Sequence, residues 1–182
     1  MLGYPIQHAR FLKEHVGGYG AYDLWGDQLL NNATHASRSR ILSHNIVSQE
    51  LAQIAIGGGI PTTAKQADIP MADDDSQSRG DLMTLVGGRI PLQPSSDFSG
   101  SSLLIMDFTL RHVFTSEHIF KADVISDAEK AKRRKYADLY RQRGFAFAPL
   151  VASTLGVCGP DLLRFLWAVA DHAARYAFDV PL

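Results

Sequence analysis

The stretch from Leu103 to Gly144 limits the fold more than any other part of this 182-residue sequence. Alternation of side chains predicts a strand over residues 101–110. One face of that strand is apolar: Leu104, Met106, Phe108 and Leu110. The other face carries Leu103, Ile105, Asp107 and Thr109. A carboxylate therefore interrupts a face that is otherwise suited to burial.

A helix is predicted to follow over residues 123–144. At 100° per residue, its inward stripe contains Val124, Ala128, Ala131 and Leu139. Lys135 falls in the middle of this stripe and is predicted to face the sheet. The other basic residues are predicted to point away from it: Lys130, Arg133, Arg134 and Arg141.

The remaining elements predict an α/β fold with a mixed sheet flanked by helices. A helix is expected over residues 34–56, ended by Gly57-Gly58-Gly59, and strands are expected over 81–86 and 145–152. Pro149 favours an edge position for the last strand, and 89–92 could add a short one. A terminal helix begins at Pro160 or Asp161, with Trp167 and Cys158 in or near the core. Alternating helices and strands are typical of α/β domains.

This pattern predicts one domain over residues 34–182, after a poorly defined segment, 1–33, that could be the remnant of an upstream region. The length and the 46% hydrophobic content suit a single buried core. The single Cys158 excludes an intramolecular disulfide and a multi-cysteine zinc site. A chain with a single cysteine suits an intracellular, reducing setting. No apolar run approaches 18 residues, so we expect no membrane partner.

The net charge of −1 argues against binding nucleic acid over the whole surface, but the charge is unevenly distributed. Seven basic residues lie between Lys130 and Arg143, beside Glu129 and Asp138. Such a run can bind phosphate, although a solvated helix face explains it equally well.

The two strands at residues 81–86 and 101–110 are expected to pair like a hairpin. This pairing would bring Asp81, at the start of one strand, near Asp107, at the end of the other. Two carboxylates and one inward lysine meet the needs of metal-assisted phosphodiester hydrolysis. The alternative is an aspartate capping a turn and a lysine snorkelling from an amphipathic helix. His112 and His118 follow the second strand and could contact DNA or the metal.

Three motifs resemble the restriction-endonuclease-like domain that follows the reverse transcriptase in some non-LTR retrotransposon proteins. They are Arg79-Gly80-Asp81, Ile105-Met106-Asp107-Phe108-Thr109, and Ala128-Glu129-Lys130-Ala131-Lys132-Arg133-Arg134-Lys135-Tyr136. Two further stretches are similar to the same family: His44-Asn45, expected at the head of a helix, and Phe147-Ala148-Pro149-Leu150-Val151. The resemblance covers Trp25 to the C-terminus.

This resemblance implies a Mg²⁺- or Mn²⁺-dependent endonuclease of the P-D-(D/E)-x-K superfamily, which nicks target DNA. Asp81 and Asp107 would be the metal ligands, and Glu50 an accessory acid. The superfamily's usual lysine position is Thr109 here, so the lysine role would pass to the helix, with Lys135 as the candidate. The nucleic-acid contacts would come from Lys130, Lys132, Arg133, Arg134 and His112. A reverse transcriptase domain would belong to the same parent protein, of which this chain would be a fragment, in the nucleus.

Two alternatives stay open at this point. One is a non-catalytic nucleic-acid-binding or structural remnant of the same domain, and the other is a nuclease of this fold acting in repair or recombination. Convergence of Asp81, Asp107 and Lys135 would favour a nuclease, whereas a Lys135 that points to solvent would favour the remnant.

Overall fold

The computed structural model describes residues 33–73, 79–85, 103–114 and 119–179. Three α-helices occur in these ranges: α1 (Ala33–Gly57), α2 (Val124–Gln142) and α3 (Pro160–Asp179). Four strands accompany them: β1 (Thr62–Thr63), β2 (Leu82–Thr84), β3 (Leu104–Arg111) and β4 (Ala146–Ser153). Residues 1–32, the short strand expected at 89–92, and His118 lie outside the described residues.

The strands form one mixed sheet in the order β1-β2-β3-β4. β2 is antiparallel to both of its neighbours and places Leu82 opposite Met106, whereas β3 and β4 are parallel, with Leu104 opposite Ala146. The chain between β3 and β4 crosses over through α2. The predicted α/β class, a mixed sheet flanked by helices, is therefore confirmed.

The alternation read from β3 separates the two sides of the sheet as predicted. Leu104, Met106 and Phe108 are buried in a core shared with α1 and α3. Ile105 points to the opposite side, where it packs in a second core with residues of α2 such as Tyr140. Asp107 follows Ile105 on that second side, which places its carboxylate between the sheet and α2.

The glycine triplet ends α1 as the sequence indicates. The amide of Gly58 still bonds to the carbonyl oxygen of Ile54 at 3.0 Å, and the chain then turns at Gly59, whose φ of 81° lies in the left-handed region. A Cβ on Gly58 would lie 2.7 Å from Cγ1 of Val169, so α1 and α3 approach closely there. Glycine at this position thus allows the two helices on one side of the sheet to pack together.

The C-terminal part of the fold agrees with most of the sequence expectations. β4 occupies an edge of the sheet among the described residues, and Pro149 lies within it, as its missing amide hydrogen requires. In α3, Leu162, Phe165 and Val169 are buried. The expectation for Trp167 was wrong, because its side chain is 73% exposed on the outer face of α3.

Within the part of the chain that the structure describes, none of the helices has the length and apolar character needed to cross a bilayer.

Candidate metal centre

The pairing of β2 with β3 brings Asp81 and Asp107 together. The backbone amide of Asp81 donates to the carbonyl oxygen of Met106 at 2.8 Å, which anchors Asp81 beside the residue preceding Asp107. One carboxylate oxygen of Asp81 lies within 4.8 Å of one of Asp107. The hairpin-like arrangement expected from the sequence therefore places both acids at one point of the sheet.

Two further donors hold the Asp81 carboxylate. Its Oδ2 accepts from the backbone amide of Phe108 at 2.8 Å and lies 3.0 Å from Nε2 of His44, a residue of α1. The same Nε2 lies 3.0 Å from the carbonyl oxygen of Phe108. Since a carbonyl oxygen only accepts, Nε2 carries a hydrogen in this arrangement. His44 therefore acts here as a donor that orients Asp81.

Asp107 receives its cationic partner from α2. Nζ of Lys132 lies 2.6 Å from Oδ2 of Asp107, and the side chains are 24% and 9% exposed, respectively. Burial raises the pKa of the Asp107 carboxyl to about 6, and the hydrogen bond with Asp81 adds to the rise against the opposing charge of Lys132. Asp107 is therefore protonated more readily than an exposed aspartate.

The pKa values of His44 and Asp81 are shifted in opposite directions. The hydrogen bond with Asp81 raises the pKa of His44 to about 9. Burial alone would raise the pKa of Asp81, but the hydrogen bonds with His44 and Asp107 outweigh it, and the pKa is lowered. Near neutral pH the cluster consequently contains two cations, His44 and Lys132, and two carboxylates.

The cluster could bind a metal ion. One ligand atom from each of His44, Asp81 and Asp107 lies within 4.8 Å of the other two. Two carboxylates and the nearby carbonyl oxygen of Phe108 are hard oxygen donors, which suit a hard divalent cation. The donor set therefore fits the kind of ion that the sequence predicts. The two carboxylates are the candidate ligands, because Nε2 of His44 carries a hydrogen.

The structure corrects the expected orientation of α2. Lys135 is exposed, with its ammonium 4.7 Å from the ring centroid of Tyr136, and Lys132 contacts Asp107 instead. The inward stripe runs through Ala128, Lys132, Tyr136 and Tyr140, so the helix is rotated by about one residue from the predicted face. The reason is that Tyr136 and Tyr140 provide the large buried surfaces, whereas the prediction followed Ala131 and Leu139.

Arg133 also departs from its predicted orientation. It was expected to face solvent, but its guanidinium pairs with the carboxylate of Asp161, which is fully buried at the start of α3. Arg164 contacts the other oxygen of the same carboxylate at 2.9 Å. Arg133 therefore joins α2 to α3, because the buried carboxylate needs both cations.

The structure places the other predicted residues away from the two acids or at the surface. Glu50 lies on the exposed side of α1, and it does not join the cluster. Nδ1 of His112 lies 2.7 Å from Oγ1 of Thr154. Lys130 and Arg134 are exposed on α2, as their predicted orientation requires.

Sequence reasoning did not include His44 in the site. His44 was expected at the head of a helix, but it lies well inside α1, which begins at Ala33. A signal was present, since His44 shares a helical face with Val47 and Leu51, at spacings of three and seven residues. A titratable side chain on an apolar face is the same signal that singled out Asp107 in β3.

Comparison with known proteins identifies no relative: a scan against protein-family models gives no match, and neither does a search of curated proteins.

Proposed function

We propose that this chain is a metal-dependent DNA endonuclease domain that hydrolyses phosphodiester bonds. The observation that supports this proposal is the convergence of Asp81, Asp107 and Lys132, two acids from neighbouring strands and one lysine from the helix packed on them. These are the groups that metal-assisted phosphodiester hydrolysis requires. Lys132 takes the role that the sequence assigned to Lys135.

The proposed cofactor is Mg²⁺ or Mn²⁺, with Asp81 and Asp107 as its protein ligands. Both ions favour carboxylate and carbonyl oxygens over nitrogen and sulfur, and the cluster offers these oxygens. When bound, the ion would stabilise negative charge on the phosphate and increase the acidity of a bound water molecule. Cys158, the sole cysteine, is not among the clustered residues.

The protein's own groups favour an anionic substrate at this position. Because His44 and Lys132 balance the two carboxylates, a divalent cation would give the cluster a net charge of two positive units. A phosphodiester, with its single negative charge, offsets half of that charge. The ammonium of Lys132 can donate to a phosphate oxygen or hold the attacking water, while His44 keeps the Asp81 carboxylate in place.

The outer face of α2 supports DNA as the substrate. Lys130, Arg134 and Lys135 are exposed on the helix that supplies Lys132, so a polyanion beside the metal centre would meet further cations. The retrotransposon origin, a reverse transcriptase domain in the parent protein and a nuclear location remain part of this proposal. They rest on the sequence resemblance alone.

A specific observation favours the second candidate, a non-catalytic remnant that keeps the fold and the basic helix. The four charged groups already satisfy one another, since Lys132 pairs with Asp107 and His44 pairs with Asp81. The solvent-facing Lys135 agrees with this alternative as well. A cluster that is balanced without an ion can serve as an internal ion-pair network alone.

Nicking of supercoiled DNA distinguishes the two candidates. The purified chain is incubated with plasmid and Mg²⁺ or Mn²⁺ beside two variants, Asp107→Asn and Asp138→Asn. Asp138 is the matched control, because its carboxylate is 71% exposed and its partner is Arg141 on the same helix. We expect nicking by the wild type and the control, and none by Asp107→Asn. A folded wild type that binds DNA but does not nick it would support the remnant.

A further inference from the structure

Tyr140 has a polar contact that its aromatic ring does not explain. The side chain is fully buried on α2, and its ring stacks on Phe147 of β4 with 5.5 Å between centroids. Its hydroxyl oxygen accepts from the backbone amide of Gly80 at 2.8 Å and donates to the carbonyl oxygen of Pro70 at 3.3 Å. Phenylalanine would fill the same space, so only these two bonds require tyrosine.

The residue held by this hydroxyl directly precedes Asp81. Gly80 is buried, and a Cβ there would collide with Cγ2 of Ile105 and lie 2.9 Å from the carbonyl oxygen of Met106. The next amide, that of Asp81, is bonded to the same carbonyl oxygen. The backbone leading into Asp81 is therefore confined by β3 on one side and by the Tyr140 hydroxyl on another.

The same helix contacts both acids. Lys132 and Tyr140 are eight residues apart on one face of α2, with Tyr136 between them. Lys132 reaches Asp107, and Tyr140 reaches the amide before Asp81. A rigid helix with these two contacts fixes the separation of the carboxylates, which is the quantity that a metal site depends on.

We propose that Tyr140 is a positioning residue for the metal centre: its hydroxyl holds Gly80 so that the Asp81 carboxylate faces Asp107 at the distance a divalent cation needs. This inference rests on the proposed metal-binding function and adds a residue that acts through the backbone.

The test compares Tyr140→Phe with the matched control Tyr136→Phe. Tyr136 is on the same helical face, is half-buried, and has no hydrogen bond to the backbone among the described residues. Mn²⁺ affinity is measured by titration calorimetry without DNA, so the result does not depend on nuclease activity. We expect the dissociation constant for Mn²⁺ to rise about tenfold in Tyr140→Phe and to change less than twofold in the control.

A purely structural role predicts a different result. Tyr140→Phe would then melt at a lower temperature but bind Mn²⁺ like the wild type, and that outcome would overturn the inference. If nicking is observed, the Mn²⁺ concentration for half-maximal rate should rise about tenfold, while the rate at saturating Mn²⁺ stays within about threefold. A lower saturating rate with an unchanged half-maximal concentration would also overturn it.

Amide hydrogen exchange in the wild type tests the role of Tyr140 even if the Tyr140→Phe variant does not fold. The Gly80 amide should be protected, and saturating Mg²⁺ should slow its exchange further because ion binding and the Gly80 contact stabilise one another. Unprotected exchange at Gly80, or exchange unaffected by bound Mg²⁺, would contradict the inference. A wild type that binds no divalent ion would instead refute the proposed function itself.

Discussion

Asp107 combines two properties that both disfavour its charged form. Its side chain is 9% exposed between β3 and α2, and it lies beside a second carboxyl group, that of Asp81. Burial disfavours the charged form, and one nearby lysine only partly offsets this cost. The pKa of Asp107, raised to about 6, means that the folded state favours the protonated acid more than the unfolded state does.

This preference predicts a pH-dependent gain in stability for Asp107→Asn. The folded-state pKa lies above the unfolded value near 4, so the stability that protonation contributes is present below about pH 4 and lost as pH rises through about 6. Asparagine keeps the neutral form at every pH. Without metal, the variant should be more stable than the wild type by about 1–2 kcal/mol at pH 7.5 and equal to it near pH 4.

Urea unfolding in EDTA at the two pH values measures this difference, with Asp138→Asn as the exposed control, expected within about 0.5 kcal/mol of the wild type. An Asp107→Asn variant that is less stable at pH 7.5 would show that the Lys132 ion pair outweighs the cost of burial.

Substitution to methionine distinguishes the roles of Lys132 and Lys135 in α2. Lys132→Met removes the cation at Asp107 and should reduce the nicking rate at least about a hundredfold, the usual effect of losing a preorganised charge. Lys135→Met removes an exposed cation from the same helix and should leave the rate within about threefold. Equal losses in both variants, measured on supercoiled plasmid, would argue against the assignment of Lys132.

Among the elements, α2 shows which properties of a helix the sequence predicts and which it does not. Its position and amphipathic character follow from the pattern of charges and alanines, and the structure has the helix over Val124–Gln142. Its orientation does not follow, because tyrosine is apolar in its ring and polar at its hydroxyl. Only the packed structure provides partners for the buried hydroxyl of Tyr140.

Arg133 and Arg134 are adjacent in the sequence, but their substitution by methionine should affect different properties: protein stability for Arg133 and DNA binding for Arg134. Arg133→Met leaves the buried Asp161 with Arg164 as its remaining guanidinium partner and should lower the free energy of unfolding by about 2–4 kcal/mol. Arg134→Met should change stability by less than about 0.5 kcal/mol but weaken DNA binding and reduce its salt dependence by about one unit of slope.

Urea unfolding and fluorescence anisotropy over a salt series measure these two effects. Loss of DNA affinity in Arg133→Met at unchanged stability would restore the solvent-facing role first expected of Arg133.

At the scale of the molecule, the site depends on contacts between distant parts of the chain. The order of elements and the pairing that joins Asp81 to Asp107 were predictable, because alternation and turn residues act over short distances. The contribution of His44 was not predictable, since His44 lies 37 residues before Asp81 in the sequence. Periodicity shows which face of a helix is buried, but it does not show which residues that face contacts. Long-range packing thus decides which titratable residues reach the centre.

The proposed function depends on a divalent ion binding between Asp81 and Asp107. Mn²⁺ binding measured by electron paramagnetic resonance tests this directly on the wild type, Asp81→Asn and Asp107→Asn at pH 7.5. We expect one tightly bound Mn²⁺ per wild-type chain, displaced by excess Mg²⁺, and a loss of binding in each variant. A folded wild type that leaves all Mn²⁺ free, or variants that bind it equally well, would contradict the metal centre.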